Sequence, residues 1–284
     1  MTVVGSGSHT YELVEGWGKL PEGWEFKQVA GVAVDSKDNV YVFNRSAHPV
    51  IVFDRDGKFL RSFGEGIFKN AHGMAFAKDG TLWMADNGDH TVRHVSPEGK
   101  VLRTLGTPGT EAEPGKPFRK PTDVAVAPDG YIYVSDGYGN SRVHVYNPMG
   151  QYKTSWGQPG VGDGDFNLPH NIWVMQDGRV LVSDRENHRV QVFELSGKHI
   201  ETWPDFIQPT DIYVDKEGTV YVAELRNRVS VCDSKGKVLA RWGRVPTKEP
   251  GYFMAPHAIW ADSRGDLYVG EVLEGQRIQK FKRK

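Results

Sequence analysis

The chain has 284 residues, 38% of them hydrophobic, with a formal net charge of −1. Both signs of charge are interspersed and no basic tract stands outside the terminal Phe281-Lys282-Arg283-Lys284, so nucleic-acid binding through phosphate neutralisation is not expected. No run approaches the roughly 18 apolar residues that span a bilayer, and a lone cysteine, Cys232, excludes an internal disulfide.

Residues 1–10 read as a flexible tail and residues 11–284 as one domain. The start of the chain has no basic segment followed by an apolar one, so no signal peptide is expected. With one cysteine, the expected location is the cytoplasm.

From Val29 onward one pattern recurs, and residues 121–157 show it best. Three β-type runs, VAVA, YIYVSD and RVHVY, are followed by a fourth, QYKTSWG. Asp129-Gly130 and Met149-Gly150 mark the corners, and the Asp-Gly pair predicts a type I′ turn. Copies begin at Val29, Ala71, Pro121, Pro169, Pro209 and Pro256. A four-stranded meander repeating every 40 to 50 residues or so is the mark of a propeller blade. The expected fold is therefore all-β, a six-bladed β-propeller without a helix of ordinary length. The sixth copy ends after its third strand. Residues 11–18, YELVEGWG, resemble the missing fourth strand, so the N-terminal strand is predicted to complete the last blade and close the ring.

The second residue of each copy's first strand is Ala30, His72, Thr122, His170, Thr210 and His257. Histidine falls in copies two, four and six and nowhere else at that position. In a six-bladed ring alternate blades stand about 120° apart, so three imidazoles would converge on the axis. Three histidines with one open position is an arrangement used by catalytic zinc. The competing expectation is that each histidine caps a strand or packs beneath a loop. Of the other seven, His9 lies in the tail. His48, His90 and His188 precede third strands and are expected to be exposed. His94, His144 and His199 are expected on outer strands.

A second position follows the second strand: Asn44-Arg45, Asp86-Asn87, Asp136-Gly137-Tyr138, Asp184-Arg185, Glu224-Leu225 and Glu271-Val272. The recurring acid suggests a structural bond to loop N–H groups. Arg45 and Arg185 depart from the pattern in copies one and four, and Tyr138 departs in copy three. Two guanidiniums suit a carboxylate substrate, and a tyrosine beside cations can act as a base near neutral pH. Surface arginines paired with neighbouring acids are the alternative.

These residues, in this order, resemble the peptidyl-α-hydroxyglycine α-amidating lyase family, built on NHL-type repeats. The segments that carry the resemblance are QVAGVAVD (28–35), VFNRSAH (42–48), AHGMAFAKDGTLWMAD (71–86), PTDVAVAPDGYIYVSDGYGNSR (121–142), LPHNI (168–172), VSDRENHRVQVF (182–193) and APHAI (255–259), within a span of about 28–281. The resemblance implies a six-bladed propeller and a zinc ion, or another divalent transition metal, held by His72, His170 and His257. It implies a catalytic Tyr138 and active-site Arg45 and Arg185. The implied reaction cleaves an N-acyl-α-hydroxyglycine to a primary amide and glyoxylate. The family's structural calcium uses an acid directly after the third histidine. Ala258 stands there, which argues against calcium or for weak binding. Gly139 stands where the animal enzyme has a disulfide cysteine after the tyrosine.

The function this implies is a metal-dependent carbon–nitrogen lyase acting on a small carboxylate-bearing carbinolamine, an N-acyl-α-hydroxyglycine or a ureidoglycolate-like compound. No nucleic-acid or membrane partner is expected, and no protein partner is indicated. Two alternatives stay open: a zinc-dependent hydrolase or lactonase on the same residues, with Asp123 and Asp211 beside the channel position, and a non-catalytic NHL-type binding propeller.

Overall fold

A computed structural model describes residues 1–113 and 116–284. The fold is all-β, with six antiparallel sheets, one for each sequence copy, making a six-bladed β-propeller. The only helical segment among the described residues is a three-residue 3₁₀ turn, Arg185–Asn187.

The blades fall into two compact groups, Met1–Glu65 with Thr210–Lys284, and Gly66–Pro209. Within the second group lie blades two, three and four. Blade two pairs Ala71–Phe76, Leu82–Asp86, Thr91–Val95 and Val101–Leu105 in order. Blade three pairs Asp123–Val126, Ile132–Asp136, Arg142–Tyr146 and Tyr152–Trp156. Blade four pairs Pro169–Val174, Arg179–Asp184, Arg189–Glu194 and His199–Trp203.

Burial along each blade follows its position in the stack. The second strands Leu82–Asp86 and Ile132–Asp136 are buried at every residue. Ile132–Asp136 lies between the sheets of blades two and four, so it has no solvent face and is apolar up to Ser135-Asp136. The fourth strand Val101–Leu105 alternates half-buried with exposed residues up to Leu105, because it is an edge. Trp83, Val92, Phe118, Val124, Ile132 and Tyr146 form the layer between blades two and three. Tyr133, Val145, Phe166, Ile172, Val182 and Phe193 form the next. Each large apolar side chain so buried contributes about 1.5–3 kcal/mol of hydrophobic driving force.

In the first group, blade six closes as expected. Its strands Pro256–Ala261, Leu267–Glu271 and Ile278–Arg283 come from the C-terminus, and the N-terminal His9–Val14 pairs with the last of them, Tyr11 opposite Arg283 and Leu13 opposite Phe281. Residues 1–10 differ from the flexible tail expected. Val3–Ser6 folds back on His9–Val14 as a fifth strand, with Val3 opposite Glu12, and covers what would be an exposed edge.

The hairpin corners stand where the Gly residues predicted them, with a different turn. Ala127 N–H bonds the Tyr131 carbonyl at 2.8 Å, and Gly130 N–H bonds the Ala127 carbonyl at 2.8 Å. That is a three-residue loop with only Gly130 at positive φ, +85°. A type I′ turn would need Asp129 there as well. Asp129 instead uses its side chain to accept the Tyr131 N–H at 3.1 Å, which favours the one-glycine form.

The recurring acid after each second strand is structural, and its partner is the loop that precedes the blade. Seventeen residues upstream in each case, Lys69 N–H bonds Asp86 at 2.6 Å, Arg119 N–H bonds Asp136 at 2.9 Å, Asn167 N–H bonds Asp184 at 2.7 Å and Met254 N–H bonds Glu271 at 2.6 Å. Cations at the start of the third strands neutralise several of these buried carboxylates, as in Arg189–Asp184 at 2.7 Å and, from the residue just before its strand, Arg277–Glu271 at 2.6 Å. In blade three the partner is the fully buried His144, at 3.2 Å from Asp136.

Candidate active site

His72 and His170 are each the second residue of a first strand, and each sits at a β-bulge. Pro169 pairs with Asp184 but Asn171 with Ser183, so one extra residue, His170, is inserted. Ala71 pairs with Asp86 and Met74 with Met84, which again leaves one residue too many at His72-Gly73. A bulge breaks the two-residue alternation and re-aims a side chain. Both histidines are 1% exposed.

Their orientation is fixed from behind. His72 Nδ1 lies 2.6 Å from the Thr122 carbonyl oxygen. A carbonyl only accepts, so Nδ1 carries the proton and Nε2 is the lone-pair nitrogen. The two imidazole centroids are 4.7 Å apart. Tyr138 Oη stands 3.3 Å from His72 Nε2 and 3.4 Å from His170 Nε2. Arg185 donates from Nη1 to the same Oη at 3.2 Å, and its guanidinium lies 5.5 Å from the ring centroid. Four of the residues singled out from sequence thus meet around one phenol oxygen, and Tyr138 is 39% exposed, open to a ligand.

Two glycines seat the tyrosine. A Cβ at Gly137 would collide with the Pro169 carbonyl, and one at Gly139 with the Arg119 carbonyl. Asp136, just before them, holds the turn by accepting from Asn140 at 2.6 Å.

Sequence reasoning did not single out the supports of Arg185. Arg185 Nε donates to Glu186 at 2.8 Å, and Gln208 Nε2 donates to the other oxygen of Glu186 at 2.7 Å. Burial works to raise the Glu186 carboxyl, yet the Gln208 bond and the Arg185 charge leave it below the usual range. Asp123, buried beside Asn171, is pushed up to about 7 by burial.

In the other group of blades, His257 repeats the pattern of His72. It is the extra residue between Pro256, paired with Glu271, and Ala258, paired with Gly270. Its Nδ1 lies 2.9 Å from the carbonyl of Ala30, the equivalent of Thr122. Arg45 follows Val40–Asn44 and is half-buried, with Nη1 donating to Gln28 at 2.5 Å. Ala258 is fully buried against Trp17, Val42 and Tyr268.

His90 corrects one expectation. It is 8% exposed, at φ +65°, and its Nδ1 accepts the Lys120 N–H at 3.1 Å. The following loop packs over it. His188 is exposed, as expected.

The NHL repeat matches residues 118–146 and 166–193. Human NHL repeat-containing protein 3 is 30% identical over 294 residues, covering 95% of this chain and 84% of that protein. The chain belongs to this NHL-repeat family. Rat peptidylglycine α-amidating monooxygenase is 33% identical over 204 residues, 60% of this chain and 21% of that enzyme. A probable peptidyl-α-hydroxyglycine α-amidating lyase of Caenorhabditis elegans is 31% identical over 200 residues, 60% of this chain and 56% of that protein. The match therefore spans about a fifth of the rat enzyme's length. The lyase resemblance read from the motifs is borne out at this level of identity. Among solved structures, a gluconolactonase of Xanthomonas campestris superposes with a TM-score of 0.69 at 16% identity, over 92% of this chain and 87% of that one. A streptogramin B lyase gives 0.64 at 17% identity, over 96% and 88%. At such identities the likeness is one of fold.

Proposed function

We propose that this NHL-repeat protein is a carbon–nitrogen lyase that cleaves a carboxylate-bearing carbinolamine to an amide and glyoxylate. The observation that carries the reading is the convergence of two histidine Nε2 atoms and an arginine N–H on the hydroxyl of Tyr138.

The donor set fits a divalent metal. The Nδ1–H of His72 is turned to a carbonyl and its Nε2 faces outward beside that of His170, as zinc-binding imidazoles require. In our proposal His257, held by the same Nδ1-to-carbonyl bond, is the third ligand. Zinc is the first expectation, and another divalent transition metal would be bound by the same nitrogens. When bound, the ion supplies Lewis-acid stabilisation of negative charge on the substrate's α-oxygen.

The protein's own groups do the rest. Tyr138 oxygen takes the α-hydroxyl proton. As the carbonyl of glyoxylate forms, the C–N bonding pair goes to nitrogen, and the proton held at Tyr138 is available for it. Charge on Tyr138 oxygen during this exchange meets the Arg185 N–H already aimed at it. In our proposal Arg45 binds the substrate carboxylate, for which the planar guanidinium fork is suited.

The test combines elemental analysis of the purified protein with glyoxylate release from α-hydroxyhippurate, with and without chelator. About one metal ion per chain and chelator-sensitive glyoxylate are expected from a three-ligand catalytic site. Metal without glyoxylate on any carbinolamine would move the reading to a hydrolase. A protein that takes up no metal would leave a binding propeller.

A further inference from the structure

The alternation that places histidine in blades two, four and six has a counterpart in the blades between. Blades three and five carry Thr122-Asp123 and Thr210-Asp211 at the same position. We propose that Asp123, with Thr122, is a positioning residue that locks the His72 and His170 bulges in register with one another.

Thr122 joins the two bulges through its backbone and its hydroxyl. Its carbonyl oxygen accepts both His72 Nδ1–H, at 2.6 Å, and Gly73 N–H, at 2.9 Å. Its hydroxyl lies 2.8 Å from the carbonyl of Pro169, directly before His170. Asp123 takes the far side of the same histidine. Its Oδ2 accepts from Asn171 Nδ2 at 2.5 Å and from Ile172 N–H at 3.2 Å. His170 is thereby pinned on both sides. Asp123 Oδ1 fills the space where Gly73 has no Cβ, so the carboxylate also abuts the His72 bulge. An inserted residue leaves its strand locally unpaired and free to shift. Five polar contacts from Thr122 and Asp123 remove that freedom.

Blade five repeats the device for the third histidine. Thr210 hydroxyl lies 3.1 Å from the Pro256 carbonyl, and Asp211 Oδ2 accepts Ile259 N–H at 2.8 Å. The same two side chains therefore bracket His257 as bracket His170. A carboxyl as deeply buried as that of Asp123 is costly for the fold. Orienting metal ligands accounts for its presence, as outer groups around a metal site do.

This inference rests on the reading of the histidines as metal ligands, and the experiment separates the two. The full-length protein, stripped of metal, is titrated with Co²⁺ alone, following the ligand-field absorption. Wild type is expected to bind. Asp123→Ala is expected to bind about 10–100-fold more weakly with an altered spectrum, the usual effect of losing an orienting group. Asp123→Asn keeps an acceptor for the Ile172 N–H and is expected to recover to within about threefold of wild type. If Asp123→Ala does not fold, Asn171→Ala, which removes one of the two donors, is read in its place with at least a fivefold or so loss expected. Wild type that binds no cobalt would overturn the metal-site reading and the positioning role with it. Wild type that binds while the alanine variant, folded, binds equally well with the same spectrum would overturn the positioning role alone.

Discussion

Arg185 donates to the hydroxyl of Tyr138 at 3.2 Å while its Nε is held by Glu186 at 2.8 Å. The guanidinium therefore cannot turn away from the phenol without breaking an ion pair. If Tyr138 is the base, Tyr138→Phe should lower the rate of glyoxylate release by about 10²–10⁴-fold with metal content unchanged. Arg185→Ala should cost about 10²–10³-fold, as removal of a preorganised donor does. Arg185→Lys should recover little, because an ammonium cannot serve Tyr138 and Glu186 in the same plane. Steady-state kinetics with metal analysis decides this. Full activity in Tyr138→Phe would remove the tyrosine from the chemistry.

The loop that bears Tyr138 tolerates no side chain at its flanking glycines. At Gly137 a Cβ meets the Pro169 carbonyl and stands 3.0 Å from Thr122 Cγ2. Gly137→Ala should destabilise the protein by about 1–3 kcal/mol, the range for overpacking. It should also displace Tyr138 relative to His170, because Pro169 adjoins that histidine. Chemical denaturation and kcat measured on the same variant provide the check. A variant as stable and as active as wild type would show that the loop has room to spare.

The blades were legible because their period is written in local chemistry: β-branched runs, Gly at corners, an acid at a fixed place. His72 and His170, whose rings stand 4.7 Å apart, were legible through their shared place in the repeat. The bulges that aim them were not, since the extra residue between Pro169 and Asn171 exists only relative to the pairing strand. Asp123 and Asp211 were visible as neighbours of the channel position, but their role depends on bonds to Ile172 and Ile259, 49 and 48 residues away. The fifth strand escaped notice because Val3–Ser6 is short and glycine-bearing and finds its order by pairing with Glu12 and Tyr11. His90 escaped because the loop that covers it, bonded through the Lys120 N–H, lies 30 residues further along the chain.

Cys232 is fully buried between Val220 and Val238 on adjacent strands, and burial pushes its thiol up to about 12. The thiolate is the reacting species. Native protein at pH 8 should therefore give almost no reaction with a thiol reagent, and about one thiol per chain once denaturant is added. Rapid stoichiometric labelling of the native protein would contradict the packing of blade five.

His94 supplies the pH dependence. It stacks on Trp83 with centroids 4.5 Å apart and planes 5° from parallel, and its Nε2 lies 2.6 Å from Thr81 Oγ1. Burial lowers its pKa from 6.5; Arg103 lowers it further and Asp79 opposes both. The folded protein therefore binds fewer protons than the unfolded chain below about pH 6.5. Its contribution to stability is present above that pH and is lost as pH falls toward the depressed folded value. His94→Gln keeps a partner for Thr81 but does not titrate. At pH 8 the variant should be the less stable, having lost the stack. The gap should narrow as pH falls from 7 to 5 or so, because only wild type must then discharge a buried imidazolium. Urea midpoints for both proteins across that range measure it, and a gap that stays constant would show that His94 titrates alike in the folded and unfolded states.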